Sequence, residues 1–290
     1  MSPAKTAKRK KKPTPKVKAK KTLVSTKKGK KMQSSSPLHR VPYYILWTLV
    51  AVIMVVFVYF GCRLVIDNAF VIRAKFGKIV YPDGEVRGID ISHYQQEIDW
   101  DRLRNAEING VPIRFILIKA TEGTDIIDEN FNENFAQAHK NGYLRGAYHF
   151  FSTHSNPISQ AKHFCRIAQL EDYDILPILD VEKIDNLTPA KLRENVIKWM
   201  NYVEQHYRVT PILYTYYSFR VNYLNTPEFD RYPFWIAHYY VEELSYKGQW
   251  KIWQHSDRGE IDGIKGNVDV NVFNGTYEEL LKLTIAENQK

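Results

Sequence analysis

Hydrophobic and polar positions divide the chain into stretches of different pattern. Residues 1–40 carry few apolar side chains and show no period. From Val41 to Cys62 no residue is charged, and the apolar side chains leave no polar face. A connector over 63–86 follows, ending near the turn signal Tyr81-Pro82-Asp83-Gly84. Beyond it, short β-rich runs alternate with longer stretches of helical spacing. The runs predict strands at 88–92, 113–119, 144–150, 175–181, 211–216, 233–238, 249–254 and 267–273. Helices are predicted near 99–108, 129–141, 157–169, 189–207 and 277–286. The helix at 189 has a start signal, with Thr188 as cap and Pro189 in the first turn. Alternating strands and helices imply an α/β domain with a mostly parallel sheet or barrel. The later part is strand-rich and helix-poor, so the expected fold is an irregular (β/α) barrel rather than a full eightfold one.

The charge-free run has the length of a membrane span. Its 22 residues, 41–62, form a helix roughly 33 Å long at 1.5 Å per residue. Tyr43, Tyr44 and Trp47 near one end and Tyr59 near the other suit the two interfaces. The alternative, a buried core helix, fits poorly with a run that is uniformly apolar. The cationic stretch precedes the span, which places the N-terminus in the cytoplasm and the body outside it. No small-x-small site follows, so no cleavage is expected. Phe70 to Val80 can add a strand or a short helix.

Composition sharpens this division. Residues 1–40 hold 15 Lys and Arg and no acid, out of 41 basic residues in the whole chain. The remainder therefore carries 26 basic against 32 acidic residues, a net of −6. A disordered basic tail joined to a mildly acidic body is the expected organisation. Beside a membrane span, the tail's natural partner is anionic lipid headgroups; nucleic acid is a distant second. Cys62 lies at the membrane edge and Cys165 deep in the body, so no internal disulfide is expected.

Candidate chemistry centres on Ile178-Leu179-Asp180-Val181-Glu182, an apolar run ending in two acids. Residues two apart on a strand face the same way, so two carboxylates stand side by side at a strand end. The alternative is a surface Asp and Glu that merely follow a strand. Chemistry in such barrels sits at the C-terminal ends of strands. That rule gathers Asp90, Glu122, Asp180, Glu182 and the late-strand Asp269. Aromatic residues come with them: Tyr148, Phe150, Tyr214, Trp235, Tyr239 and Trp253. Each ring taken singly fits core packing better; acids and rings together suit a carbohydrate cleft. Glu122 reads as a turn-stabilising or substrate-orienting carboxylate before Gly123, and His93, His149 and His238 as sugar contacts or strand-end caps. No HExxH and no close His/Cys/Asp spacing is present, so a metal site is not expected, and no GxSxG or P-loop pattern appears either.

Four stretches resemble glycoside hydrolase family 25, the Chalaropsis-type N-acetylmuramidases, in order and across about 87–280. They are Gly88-Ile89-Asp90-Ile91-Ser92-His93-Tyr94-Gln95, Phe115 to Gly123, Pro177 to Glu182, and Val268 to Phe273. The resemblance implies, over 87–283, an irregular (β/α) barrel of about eight strands and few helices, with no metal or organic cofactor, that cleaves the β-1,4 bond between N-acetylmuramic acid and N-acetylglucosamine in peptidoglycan. It also implies Glu182 as general acid, Asp180 as its neighbour, and Asp90 and Asp269 completing an acidic cluster. Sugar contacts are then expected from Tyr148, Tyr214, Trp235, Tyr239, Trp253, Glu122 and Gln95. Repulsion from Asp180 is expected to raise the Glu182 carboxyl and keep it protonated. An acetamido-assisted, retaining route is favoured over a carboxylate nucleophile or an activated water. A glycan-binding barrel without catalysis, and a hydrolase of another N-acetylated polysaccharide such as chitin, stay open as alternatives. Relatives often carry wall-binding repeats, whereas no repeat follows about residue 275 here.

Overall fold

A computed structural model describes residues 43–67 and 79–289. The tail over 1–40 lies outside them, as does the candidate element over Phe70 to Val80 except at its last two positions. Helix α1 (Tyr43–Asp67) covers 25 residues. Tyr43–Ile66 has a mean hydropathy of 2.6, long and apolar enough to cross a membrane. Its residues are exposed on every side, unlike those of a core helix. The helix runs past the expected end at Cys62 because Arg63-Leu64-Val65-Ile66 contains no breaker.

Ten strands form one sheet: β1 (Arg87–Ile91), β2 (Glu107–Ile108), β3 (Val111–Glu122), β4 (Ile126–Ile127), β5 (Leu144–Phe150), β6 (Ile178–Asp180), β7 (Ile212–Tyr216), β8 (Phe234–Ala237), β9 (Trp250–Gly259) and β10 (Val268–Phe273). Eight of them close into a barrel in the order β1-β10-β9-β8-β7-β6-β5-β3, with β3 pairing back onto β1. The pairs from β1 through β3, β5, β6, β7 and β8 to β9 are parallel. Only β10 is antiparallel to both neighbours. The short link from β9 has no room for a crossover helix, so β10 must return antiparallel.

The helices are α2 (Trp100–Leu103), α3 (Phe131–Lys140), α4 (Pro157–Ile167), α5 (Pro189–Tyr207), α6 (Tyr217–Tyr223), α7 (Tyr277–Leu281) and α8 (Ile285–Asn288). The α5 start follows its signal, with Thr188 Oγ1 accepting from the Lys191 amide at 3.2 Å. The buried face of α5 includes Leu192, Val196, Trp199 and Val203, at helical spacing. Trp199 stacks on His149 from β5 at 5.6 Å and also meets Phe164 from α4. The layer between barrel and helices is thus one continuous hydrophobic core.

Several boundaries differ from expectation. The helix expected over 99–108 stops at Leu103, and the chain enters β2. Asn109 and Gly110 adopt left-handed φ values of 51° and 77°, closing a two-residue hairpin between Ile108 and Val111. The strand expected from 175 shortens to Ile178–Asp180, since Pro177 lacks an N–H and the Leu176 amide donates to Leu283 O instead. That contact also divides the expected helix over 277–286 into α7 and α8, with Thr284 bridging to Ile175. Inside the barrel, glycines make room. A Cβ on Gly88 would fall 2.4 Å from the Phe115 ring, and one on Gly146 would fall 2.9 Å from Leu117.

Candidate active site

At one mouth of the barrel Asp90, Asp180, Glu182 and Asp269 line a single cavity of about 200 Å³, together with Lys119, Tyr148, Phe150, Tyr94 and Gln95. Asp90 is the fourth residue of β1, Asp180 ends β6, and Glu182 stands two positions further on. Asp269 is the second residue of β10, not a strand-end residue. It reaches the same mouth because β10 begins where its antiparallel neighbour β1 ends; Asp90 and Asp269 are opposite one another in register.

Beneath the cavity lies a network of fixed polar groups. Asp90 Oδ2 accepts from Gln254 Nε2 at 2.8 Å and from Asn271 Nδ2 at 2.7 Å. The Tyr214 and Tyr239 hydroxyls donate to Gln254 Oε1 at 2.7 and 2.5 Å. The Trp235 indole donates to Asn271 Oδ1 at 2.8 Å. Trp235 also packs against Tyr214 at 4.3 Å and lies edge-on to Tyr148 at 6.1 Å. Burial lifts the Asp90 carboxyl to about 6 against the pull of these amides. Burial and the charge of Asp90 lift Asp269 to about 9.

The second carboxylate pair is arranged differently. Asp180 is buried, and its Oδ1 has no hydrogen-bond partner. Burial first, then repulsion from Glu182, pushes its carboxyl well up. Glu182 is raised chiefly by burial, against the Tyr216 hydroxyl and the Lys183 charge. The expected direction for Glu182 holds, but its main cause is desolvation rather than Asp180. The pair therefore retains a proton where free carboxylates would have lost theirs. Lys119 Nζ pairs with Glu122 Oε2 at 2.7 Å and lies 5.1 Å from the centroid of the Phe150 ring. It is the cation of the cavity wall.

The structure brings together most of the sequence-predicted residues, though at different depths. Tyr148 and Gln95 border the cavity, while Tyr214, Trp235 and Tyr239 support its floor through the amides. Gln95 also caps its own turn, accepting from the Ser92 amide at 2.9 Å. Glu122 stands beside the cavity, held by Lys119. Trp253 points away. Its neighbour Gln254 faces inward, so Trp253 projects from the outer face of β9, where it donates to His238 O at 2.9 Å and borders a groove with Pro82 and Val272. His149 is likewise on the outer face of β5, bonded to Thr121 and Gln160, and burial holds it neutral with its pKa lowered to about 3. It is a core residue and does not meet the cavity. His93 pairs with Asp128 at 2.8 Å beside the mouth, and His238 stacks on Tyr217 at 4.6 Å. Sequence reasoning passed over Gln254, Asn271, Tyr216 and Lys119. Lys119 did leave a signal, a lone cation in the apolar run Phe115-Ile116-Leu117-Ile118-Lys119-Ala120.

Known proteins share this sequence pattern and this fold. Residues 89–264 match the family model of the glycosyl hydrolases family 25. YegX of Escherichia coli strain K12 is 42% identical over 200 residues, covering 67% of this chain and 72% of that protein. Lysozyme M1 of Streptomyces globisporus is 32% identical over 221 residues, covering 68% of this chain and 71% of that protein. The crystal structure of the bacterial lysozyme from Streptomyces coelicolor superposes with a TM-score of 0.64 at 30% identity, covering 71% of this chain and 99% of that one. A closed eight-stranded barrel with carboxylates at one mouth, matched by sequence and by structure, is a member of glycosyl hydrolases family 25.

Proposed function

We propose that this chain is a membrane-anchored N-acetylmuramidase that cleaves the β-1,4 bond between N-acetylmuramic acid and N-acetylglucosamine in peptidoglycan. The observation that carries this reading is the set of four carboxylates lining one sugar-sized cavity. The naming of its relatives as lysozymes and N,O-diacetylmuramidases supports it.

In this mechanism Glu182 gives its proton to the glycosidic oxygen. Burial keeps that proton available, and Tyr216 orients the carboxyl. The substrate's acetamido oxygen forms a bond to C1 as the C1–O bond breaks. Asp180, which lines the same cavity, accepts the acetamido N–H and steadies the positive charge that develops. Glu182, now ionised, takes a proton from the water that adds to C1, and the acetamide is restored. The configuration at C1 is retained. Asp90 supplies negative charge below the reacting centre.

The domain plan follows the chain. Residues 1–40 form a basic cytoplasmic tail on anionic headgroups, 41–62 form the core of the span, 63–86 connect, and 87–283 form the hydrolase on the far side of the membrane. The fully exposed apolar helix α1 supports the anchor. The full chain in detergent micelles, incubated with purified peptidoglycan, is expected to create N-acetylmuramic acid reducing ends, identified by mass spectrometry, and to leave chitin oligomers intact. Reducing ends of N-acetylglucosamine, or none, would refute the reading.

A further inference from the structure

Gln254 on β9 and Asn271 on β10 are register partners under the cavity, and both are buried. Chemistry fixes which way the Asn271 amide points, and the hydrogen-bond pattern around it orients Gln254. An indole N–H only donates, so the atom of Asn271 that meets Trp235 at 2.8 Å is its oxygen. Its NH₂ then faces Asp90 at 2.7 Å. Gln254 lies the same way: two phenol hydroxyls donate to its oxygen, and its NH₂ meets the same Asp90 oxygen at 2.8 Å. Two N–H donors thus converge on Asp90 Oδ2. A proton on that oxygen would face two donors and no acceptor, so Oδ2 is held as an acceptor.

We propose that Gln254 and Asn271 are positioning residues: an amide pair, oriented by Tyr214, Tyr239 and Trp235, that holds Asp90 as a fixed anion and leaves the proton shared with Asp269 on Asp269. The inference rests on the muramidase reading of the same cavity and explains how that cavity keeps a bare negative charge in its floor. The other groups facing Asp90 are Asp269 on β10, Asp180 and Glu182 at the end of β6, and the phenols Tyr148, Tyr214 and Tyr239. Lys119 on β3 acts on Asp180. Burial, and after it the charge of Glu182, lift the Asp90 carboxyl to about 6; the hydrogen bonds from Asn271 and Gln254, and then the one from Asp269, oppose that rise.

Gln254→Met and Asn271→Leu remove one donor each at similar volume, and Tyr239→Phe loosens Gln254 without removing it. Two readouts apply to the full chain in micelles. In the pH profile of kcat/KM the acid limb is expected to move up by about one pH unit in the two amide variants, and less in Tyr239→Phe. With ¹³C-carboxyl-labelled aspartate, the Asp90 resonance, assigned by its loss in Asp90→Asn, is expected to titrate about one unit higher in the same variants. This second readout needs no turnover. Unmoved Asp90 midpoints in folded variants overturn the inference even if activity falls. Moved midpoints in a chain that forms no muramic reducing ends leave the inference standing and overturn the muramidase reading. If the amide variants do not fold, Tyr239→Phe decides alone, and its unchanged midpoint counts against the inference.

Discussion

Asp90 and Asp269 stand directly opposite each other across the antiparallel pair of β1 and β10. Two carboxylates so placed repel, and the arrangement is tolerable when one keeps a proton. The surroundings decide which. Asp90 receives two amide N–H groups, whereas Asp269 meets burial and the charge of Asp90. Across the neutral range the pair holds one proton, and Asp269 carries it.

This pair predicts a pH dependence of stability. The Asp269 carboxyl rises from 3.8 to about 9 on folding. Over that interval the folded chain binds more protons than the unfolded one. Its contribution to stability is therefore full below 3.8 and is lost as pH rises through about 9. Asp269→Asn removes the titration. Calorimetric unfolding temperatures of the variant are expected to fall less steeply with pH over this window than those of the parent. Parallel curves would sink the assignment.

Glu182→Gln preserves shape but has no transferable proton. The carboxyl sits at the cavity, two residues past β6, and contributes nothing to the sheet ladder. Turnover on peptidoglycan is expected to drop by about 10²–10⁴-fold, as loss of a general acid does, with the unfolding temperature little changed. Parent-like turnover in the variant would exclude Glu182 as the acid.

The stereochemical outcome tests Asp180. In the proposed mechanism Asp180 accepts an acetamido N–H, which implies two displacements at C1 and net retention. Proton NMR of a fresh digest is expected to show the β-anomer of the new reducing end first, relaxing later to the mixture. The α-anomer appearing first would rule out acetamido assistance.

The acids were legible in the sequence because a carboxylate at the end of an apolar run is a one-dimensional signal; Asp90, Asp180 and Glu182 needed no knowledge of partners. The supporting shell was not legible in this way. Whether Trp253 or Gln254 faces inward depends on the pairing of β9 with β10, whose register shifts twice. The run Trp250 to Gly259 offers aromatic and polar residues on either face. His149 was ambiguous for the same reason, since it alternates with the inward-facing Tyr148 and Phe150. The hairpin at Asn109-Gly110 differs from these cases. Its dipeptide is a strong turn signal that the helix expected over 99–108 stopped just short of and left unused.

Lys119 supplies the last prediction. Its ammonium is mostly buried, pairs with Glu122 at 2.7 Å, and favours the charged forms of both Asp180 and Glu182. Lys119→Met keeps the stem that lines the wall and deletes the charge. Without the cation, both carboxyls hold their proton to higher pH. The general acid then remains competent further into alkali, so the alkaline limb of kcat/KM is expected to move up. A fall in turnover at neutral pH is also expected, because Asp180 is less able to carry the negative charge that steadies the acetamido intermediate. Glu122 loses its partner but is a third exposed, and water replaces the pair at small cost. Glu122→Gln therefore serves as the comparison: the negative charge of Glu122 raises Asp180, so its removal is expected to move the same limb slightly down. An alkaline limb unmoved in Lys119→Met, or moved up equally in both variants, would show that the ammonium acts through Glu122 and not on the catalytic pair.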